Sequence, residues 1–288
     1  MAIKAESRVL LELENIDMFF GGVLAVRGMS FTIMDNELAG IIGPNGAGKT
    51  TIFNVISGVY SPTGGSIWFR EQDITPLMAY QVNRLGIART FQNLRLFARS
   101  SVLENVMTAA QNRYRYSFRE NLRGHLAPSY RPDPEYFYGF LESILHAGRW
   151  VSRETNIRKK SMELLDRVGL ADRADQMAGT LPYGMQRRLE IARALALDPK
   201  LLLLDEPAAG MNPEEVFALN DLITGIHRDF RLTTLVIEHH MDMIMQICPH
   251  IVCVNFGAKI AEGTPEEIQA NPEVLSAYLG DDEEAMGE

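Results

Sequence analysis

Hydrophobic and polar positions alternate at the start of the chain. Val9-Leu-Leu-Glu-Leu-Glu-Asn-Ile16 carries a partial two-residue period and predicts a strand. Phe19-Phe20-Gly21-Gly22 predicts a turn, and Val23–Met34 resumes the strand pattern. Asp35-Asn36 predicts a hairpin turn into the apolar run Leu38–Ile42, and a helix-forming segment spans Thr51–Ile56. Thr63-Gly64-Gly65 predicts a turn before a short strand Ser66–Phe69, then a helix around Met78–Leu85 and a strand around Gly86–Thr90. From Val102 the pattern turns helical, and Ser161–Val168 has an amphipathic period.

The second half is more regular. Helices are expected at Tyr183–Leu197, Pro213–Asp229 and His240–Cys248, with strands at Leu201–Leu204, Thr233–Ile237, Ile251–Asn255 and Lys259–Glu262. Short helices Pro265–Ala270 and Pro272–Leu279 close the pattern, and residues 281–288 form an acidic tail expected to be disordered. This alternation predicts an α/β fold. Its sheet is mostly parallel, with an antiparallel strand group near the N-terminus and an inserted helical subdomain from about Val102 to Thr180. One domain over residues 8–280 is expected, its core formed by 8–100 and 200–280, with an extended insert at 111–160 inside the helical part.

The apolar run ending at Ile42 feeds a glycine-rich loop, Gly43-Pro44-Asn45-Gly46-Ala47-Gly48-Lys49-Thr50-Thr51. Strand, G-x-x-x-x-G-K-T and helix, in that order, make a phosphate-binding loop. Glycines let the backbone approach a polyphosphate closely, and the following helix aims unpaired N–H groups and its positive dipole end at it. Lys49 brings a point charge for the terminal phosphates, and the Thr50 hydroxyl suits Mg²⁺. Far downstream, Leu201-Leu-Leu-Leu-Asp205-Glu206-Pro207 delivers two carboxylates at the C-terminal end of an apolar strand, where open α/β sheets bind ligands. Asp205 is placed to hold Mg²⁺ and Glu206 to polarise an attacking water, a sufficient inventory for phosphoryl transfer to water.

Composition narrows the partners. Lys and Arg number 28 against 37 Asp and Glu, a net charge of −9, so the chain is not built to coat nucleic acid. The stretch Gln111–Lys160 mixes arginines with Tyr114, Tyr116, Phe118, Tyr130, Tyr136, Phe137, Tyr138 and Trp150, a composition that can bind nucleic acid. In an acidic chain without a stacking motif it reads better as a helical insert with solvated arginines. Cys248 and Cys253 match no common zinc spacing and read as buried free thiols, which suits a reducing compartment. The start of the chain shows no secretory apolar core, and no apolar run approaches the ~18 residues of a membrane span. Work at a membrane would therefore pass through another polypeptide. Glu238-His239-His240 resembles a metal cluster but lacks a third ligand at suitable spacing, and Met241, Met243 and Met245 read as core filler and solvated surface.

Between the two nucleotide motifs lies Leu181-Pro-Tyr-Gly-Met-Gln-Arg-Arg-Leu-Glu-Ile-Ala-Arg193. With it, the chain from Val9 to Gly280 resembles the nucleotide-binding subunit of an ABC transporter. The resemblance implies ATP and Mg²⁺ as ligands and ATP hydrolysis as the activity. It implies that Phe20 stacks on adenine, that Gly43–Thr51 cradles the phosphates and that Gln92 contacts Mg²⁺ or water and senses the transmembrane partner. It makes Asp205 the metal residue, Glu206 the water-activating one and His239 the γ-phosphate switch. Tyr183, Gly184, Met185 and Gln186 resemble the signature loop that engages the nucleotide of a second subunit, and Ala209-Gly-Met-Asn212 the loop that crosses that interface.

Three departures stand out. Leu-Pro-Tyr-Gly-Met at 181–185 replaces the usual Leu-Ser-Gly-Gly-Gln, and Pro182 offers a phosphate neither hydroxyl nor N–H. Asn212 stands where an aspartate is usual, and His240 also departs from the pattern. Local matches at Phe20–Val26, Arg89–Gln92, Tyr183–Arg193, Pro207–Pro213, Gly263–Pro265 and Ala277–Gly280 are similar to the ATP-binding subunits of branched-chain amino-acid importers. That branch also takes related amino acids and amides. It implies a peripheral location on the cytoplasmic face of the inner membrane. The partners it implies are a transmembrane permease, a second ATP-binding subunit (a related chain or another copy) and, indirectly, a solute-binding protein. A soluble ABC ATPase without a transporter, or a scaffold with weak hydrolysis, are the alternatives.

Overall fold

The computed structural model describes residues 8–111, 147–239 and 241–285. The chain divides into two compact units. One joins the residues up to Leu94 with those from Pro199 onward; the other is Arg95–Asp198.

The first unit holds two sheets. β1 (Val9–Phe20), β2 (Val23–Met34), β4 (Gly64–Phe69) and β5 (Gln72–Asp73) form an antiparallel sheet in the order β2-β1-β4-β5. β3 (Leu38–Ile42), β6 (Ile87–Arg89), β7 (Leu201–Asp205), β8 (Thr233–Ile237), β9 (His250–Asn255) and β10 (Ala258–Gly263) form a second, in the order β10-β9-β3-β8-β7-β6. Every neighbour in this second sheet is parallel except β10, which returns antiparallel along β9. Strands β3, β7 and β8 are buried at every residue, as continuous apolar runs covered on both faces must be. One core cluster takes in both sheets and α1 (Lys49–Ile56): Ile52, Phe53 and Ile56 of the helix belong to it with Leu13 and Phe31 of the antiparallel sheet and Leu203 and Leu235 of the parallel one.

Several boundaries differ from expectation. Phe19 and Phe20 belong to β1, paired with Leu24 and Val23, so the turn shrinks to Gly21-Gly22, both at positive φ. Their aromatic side chains suit a strand, and the two glycines suffice for the reversal. Asp35-Asn36 is a turn, but no hairpin follows: Leu38–Ile42 leaves β2 and inserts in parallel between β8 and β9. A strand apolar on both faces is stable only where both faces are covered. β4 starts at Gly64, inside the stretch expected as a turn, and α1 starts at Lys49 rather than Thr51.

After β5 the unit adds α2 (Ala79–Leu85). The second unit contains α3, which opens in residues 102–111, then α4 (Ala147–Arg167) and α5 (Tyr183–Leu195). Asn105, fully buried, holds the start of α3 by accepting from Phe97 N at 2.9 Å and donating to Phe97 O and Ser101 O. The aromatic stretch Tyr114–Tyr138 lies outside the described residues. The first unit closes with α6 (Pro213–Phe230), α7 (Met241–Ile247), α8 (Pro265–Gln269) and α9 (Pro272–Ala285). Helix α9 carries on through Asp281–Ala285, part of the tail expected to be disordered. Asn271 Oδ1 caps it by accepting from Glu273 N at 2.9 Å, and propagating a helix already nucleated costs less per residue than starting one. Residues 286–288 of that tail lie outside the described residues. Cys248 and Cys253 are buried free thiols, and burial pushes Cys253 up to about 11. In α7, Met243 is buried while Met241 and Met245 are half-buried.

Candidate functional site

The phosphate loop is built where β3 hands over to α1. Gly43 cannot carry a side chain there, because a Cβ would lie 2.0 Å from the Val254 carbonyl oxygen. Gly48 caps α1 in the left-handed region at φ 99°, and a Cβ would meet Ala25 O at 2.6 Å. The cap has no side chain to satisfy the first-turn N–H groups, and that turn carries no acidic residue, so the positive end of α1 is uncompensated. The Lys49 ammonium, 5% exposed, folds back on the loop and donates to Gly43 O at 2.6 Å and Pro44 O at 2.8 Å. Pro44 and Ala47 are buried, Asn45, Gly46 and Thr50 are exposed, and Thr51 is half-buried. The β9–β10 turn braces the loop from outside, with Gly257 N donating to Ala47 O at 3.0 Å. At the N-terminal hairpin, Phe20 is 38% exposed and meets Tyr60 edge to face at 5.1 Å.

The carboxylates come from the end of β7. Asp205 is 1% exposed, and its Oδ2 accepts from Arg89 Nη2 at 2.6 Å. Asp205 N donates to Thr90 Oγ1 at 3.3 Å. Glu206 follows in the left-handed region at φ 45°, a costly conformation for a residue with a Cβ, and one that concentrates at functional sites. Its Oε2 accepts from Gln92 Nε2 at 2.8 Å and lies 4.0 Å from His239 Nδ1. So Gln92, Glu206 and His239 meet in one place. Glu238 has a different task from the metal cluster considered above. Fully buried, it accepts from Ala208 N at 2.8 Å and His239 N at 3.3 Å, tying the loop after Glu206 to the end of β8. His240 lies outside the described residues. The uncompensated α1 terminus, the Lys49 charge and the hard oxygen donors of Thr50 and Asp205 fit a polyphosphate with a divalent cation.

In the second unit, Pro182 precedes α5 in extended conformation, and Tyr183, Gly184, Met185 and Gln186 form its first turn. Tyr183 is 42% exposed, while its hydroxyl accepts from Arg187 Nη2 at 2.8 Å and Nε at 3.1 Å. Gln186 Nε2 donates to Leu181 O at 2.8 Å and closes the turn.

Sequence reasoning passed over three residues. Arg89 appeared only inside a local match, Glu238 only as a metal candidate, and Tyr60 not at all. Their signal was position: Glu238 immediately follows a strand buried along its length, and Arg89 ends the strand just before Gln92.

A family model described as ABC transporter matches residues 26–209. The chain belongs to the ABC transporter ATP-binding family. This cassette is therefore an ATPase, the ATP-hydrolysing subunit of a transporter. A second model, described as branched-chain amino acid ATP-binding cassette transporter, matches residues 258–284. The high-affinity branched-chain amino acid transport ATP-binding protein BraF of Pseudomonas aeruginosa is 41% identical over 275 residues, 96% of this chain and 99% of that protein. LivG of Escherichia coli, named for the same transport, is 40% identical with the same coverage. Among solved structures, a nucleotide-free ATP-binding cassette from an ABC transporter is 30% identical with a TM-score of 0.74, covering 94% of this chain and 98% of that one. A cassette crystallised in its ADP conformation gives 27% and 0.76, covering 95% and 100%. No helix among the described residues is long and apolar enough to cross a membrane.

Proposed function

We propose that this ATPase energises import of branched-chain or related amino acids through a membrane permease. The observation that carries this reading is the 41% identity, across nearly the whole chain, to a protein named for that transport. This chain binds the transmembrane permease peripherally at the cytoplasmic face of the inner membrane, and a solute-binding protein acts on the permease's far side without touching this chain. A second ATP-binding subunit, a related chain or another copy, completes the site.

The geometry suggests a role for each residue. Phe20, edge-on to Tyr60, offers a face to adenine. The Gly43–Thr51 backbone and the α1 terminus bind the phosphates, and Lys49 adds charge from inside the loop. Thr50, Asp205 and Gln92 would hold Mg²⁺, directly or through water. When bound, the cation neutralises charge developing on the phosphate oxygens. Glu206 takes the proton of the attacking water. Gln92 donates to one oxygen of the Glu206 carboxylate at 2.8 Å and orients it, and the group keeps further lone pairs with which to take the proton. His239 sits close enough to Glu206 to face the same γ-phosphate. The first turn of α5, with Gly184, meets the nucleotide held by the second subunit. Pro182 removes one N–H and one hydroxyl from that contact, so fewer groups carry it.

Two measurements test the reading. Phosphate release by the purified chain, alone and as Glu206→Gln, should show activity that the variant loses while still binding ATP. Co-purification with a hydrophobic permease, and uptake of labelled leucine restored to a strain lacking its own importer ATPase, test the transport role. Uptake that stays at background despite ATPase activity would remove the amino-acid assignment.

A further inference from the structure

We propose that Arg89 is a positioning residue for the carboxylate of Asp205, joining the phosphate-loop helix to the metal site. The inference rests on the reading above that Asp205 holds the divalent cation. Arg89 ends β6. Its Nη2 donates to Asp205 Oδ2 at 2.6 Å, while its Nη1 donates to Asn54 Oδ1 on α1 at 2.8 Å and to Oγ of Ser57, the C-cap of α1, at 3.1 Å. The guanidinium lies over the Phe53 ring at 5.6 Å and the Phe91 ring at 5.2 Å. Both charged side chains of the pair are nearly fully buried, at 6% and 2% exposure.

The arrangement does more than neutralise a buried acid. A planar guanidinium fixes the direction of each bond it donates, which an ammonium does not. The two faces of the fork bind two different elements, so the orientation of Asp205 is referred to α1, the helix whose first turn meets the phosphates. Nε is buried without a hydrogen-bond partner among the described residues, so Nη1 and Nη2 carry the polar orientation. Three residues further on, Gln92 binds Glu206. One short segment, Arg89–Gln92, thus holds both carboxylates at the end of β7. Partners that orient a metal-binding carboxylate set metal affinity without touching the ion.

The test follows metal dependence of nucleotide binding rather than turnover. A fluorescent ATP analogue is titrated into the full chain in EDTA and at graded Mg²⁺, for wild type, Arg89→Lys, Asn54→Ala and Asp205→Asn. Arg89→Lys keeps the charge but cannot reach α1 and Asp205 together. It should keep its EDTA affinity within about twofold, while the Mg²⁺ midpoint rises about tenfold or more. Asn54→Ala leaves the ion pair in place and guards against a misfolded first variant; its midpoint should move the same way by about threefold. An unchanged midpoint in Arg89→Lys overturns the proposal, and so does an EDTA affinity that falls in parallel, since that marks a merely structural residue. If Asp205→Asn also leaves the midpoint unmoved, the metal reading of Asp205 falls and takes this inference with it. A shift in Asp205→Asn alone refutes only the role of Arg89.

Discussion

Among the described residues, each unit buries an arginine–carboxylate pair. In the first unit, Arg89 and Asp205 come from strands 116 residues apart and are 6% and 2% exposed. In the second, Arg187 and Glu190 sit three residues apart on α5, 3.3 Å apart and 3% and 5% exposed. Burial and charge are alike, yet the carboxylates differ in use. Asp205 stands at the open end of a parallel strand, where ligands reach it. Glu190 lies within one helix, where its partner is supplied locally and serves to hold Tyr183 at the start of that helix. A buried pair is therefore not by itself a sign of function; the element that delivers the carboxylate decides.

The largest expected effect separates the two acidic regions by chemistry. Glu206→Gln should lower phosphate release by about 10²–10⁴-fold with ATP binding retained, the usual range for losing a general base. Glu190→Gln should leave the rate per folded molecule within a few-fold. Comparable rates in the two variants would erase the distinction. Next comes stability. Arg187→Met should destabilise the chain by up to about 3–5 kcal/mol in urea unfolding, since Glu190 loses this buried partner while the charge of Arg193 still acts on it, and Arg187→Met with Glu190→Leu should recover most of it. The Mg²⁺ midpoint should stay unmoved, in contrast to Arg89→Lys. Smaller again, Tyr183→Phe removes a hydroxyl that accepts from Arg187 and should cost about 1 kcal/mol by the same measurement.

The smallest effect concerns an exposed-edge counterpart of these pairs. His250 Nδ1 lies 2.8 Å from Glu37 Oε1, and its Nε2 lies 3.0 Å from Glu262 Oε1. The hydrogen bond to Glu37 raises its pKa above the ordinary value, against partial desolvation and with Glu262 adding to the rise. Its stabilisation is complete below the unfolded-state pKa and is lost as pH rises through the raised folded value. His250→Gln should therefore cost about 1 kcal/mol near pH 6 and almost nothing near pH 9, read from urea midpoints at each pH. A loss independent of pH would mean that packing, not charge, is what His250 provides.

The nucleotide motifs were legible because phosphate binding is a local problem. Gly43, Gly48 and Lys49 lie within one loop, and their spacing alone specifies a cradle. Helix and strand interiors were legible for the same reason, as β8 shows by spanning Thr233–Ile237, the range its sequence pattern predicts. The errors fell where a segment had two local options. Phe19 and Phe20 could turn or pair, and Asp35-Asn36 could close a hairpin or release β3 to another sheet.

By itself, then, the sequence determined the alternation of elements, the phosphate loop, the two carboxylates after Leu204 and the resemblance to ATP-binding subunits. These depend on spacings of a few residues and on periodicity, which a chain carries without folding. Only the tertiary structure decided that β3 lies between β8 and β9, that Gln92 holds Glu206, that Glu238 braces Ala208, and that Arg89 ties Asn54 and Ser57 to Asp205. Each of these contacts joins residues far apart in the chain. The buried charges of Asp205 and Glu238 must find partners, and the apolar faces of β3 must be covered, wherever packing has placed them, and no local pattern records where that is.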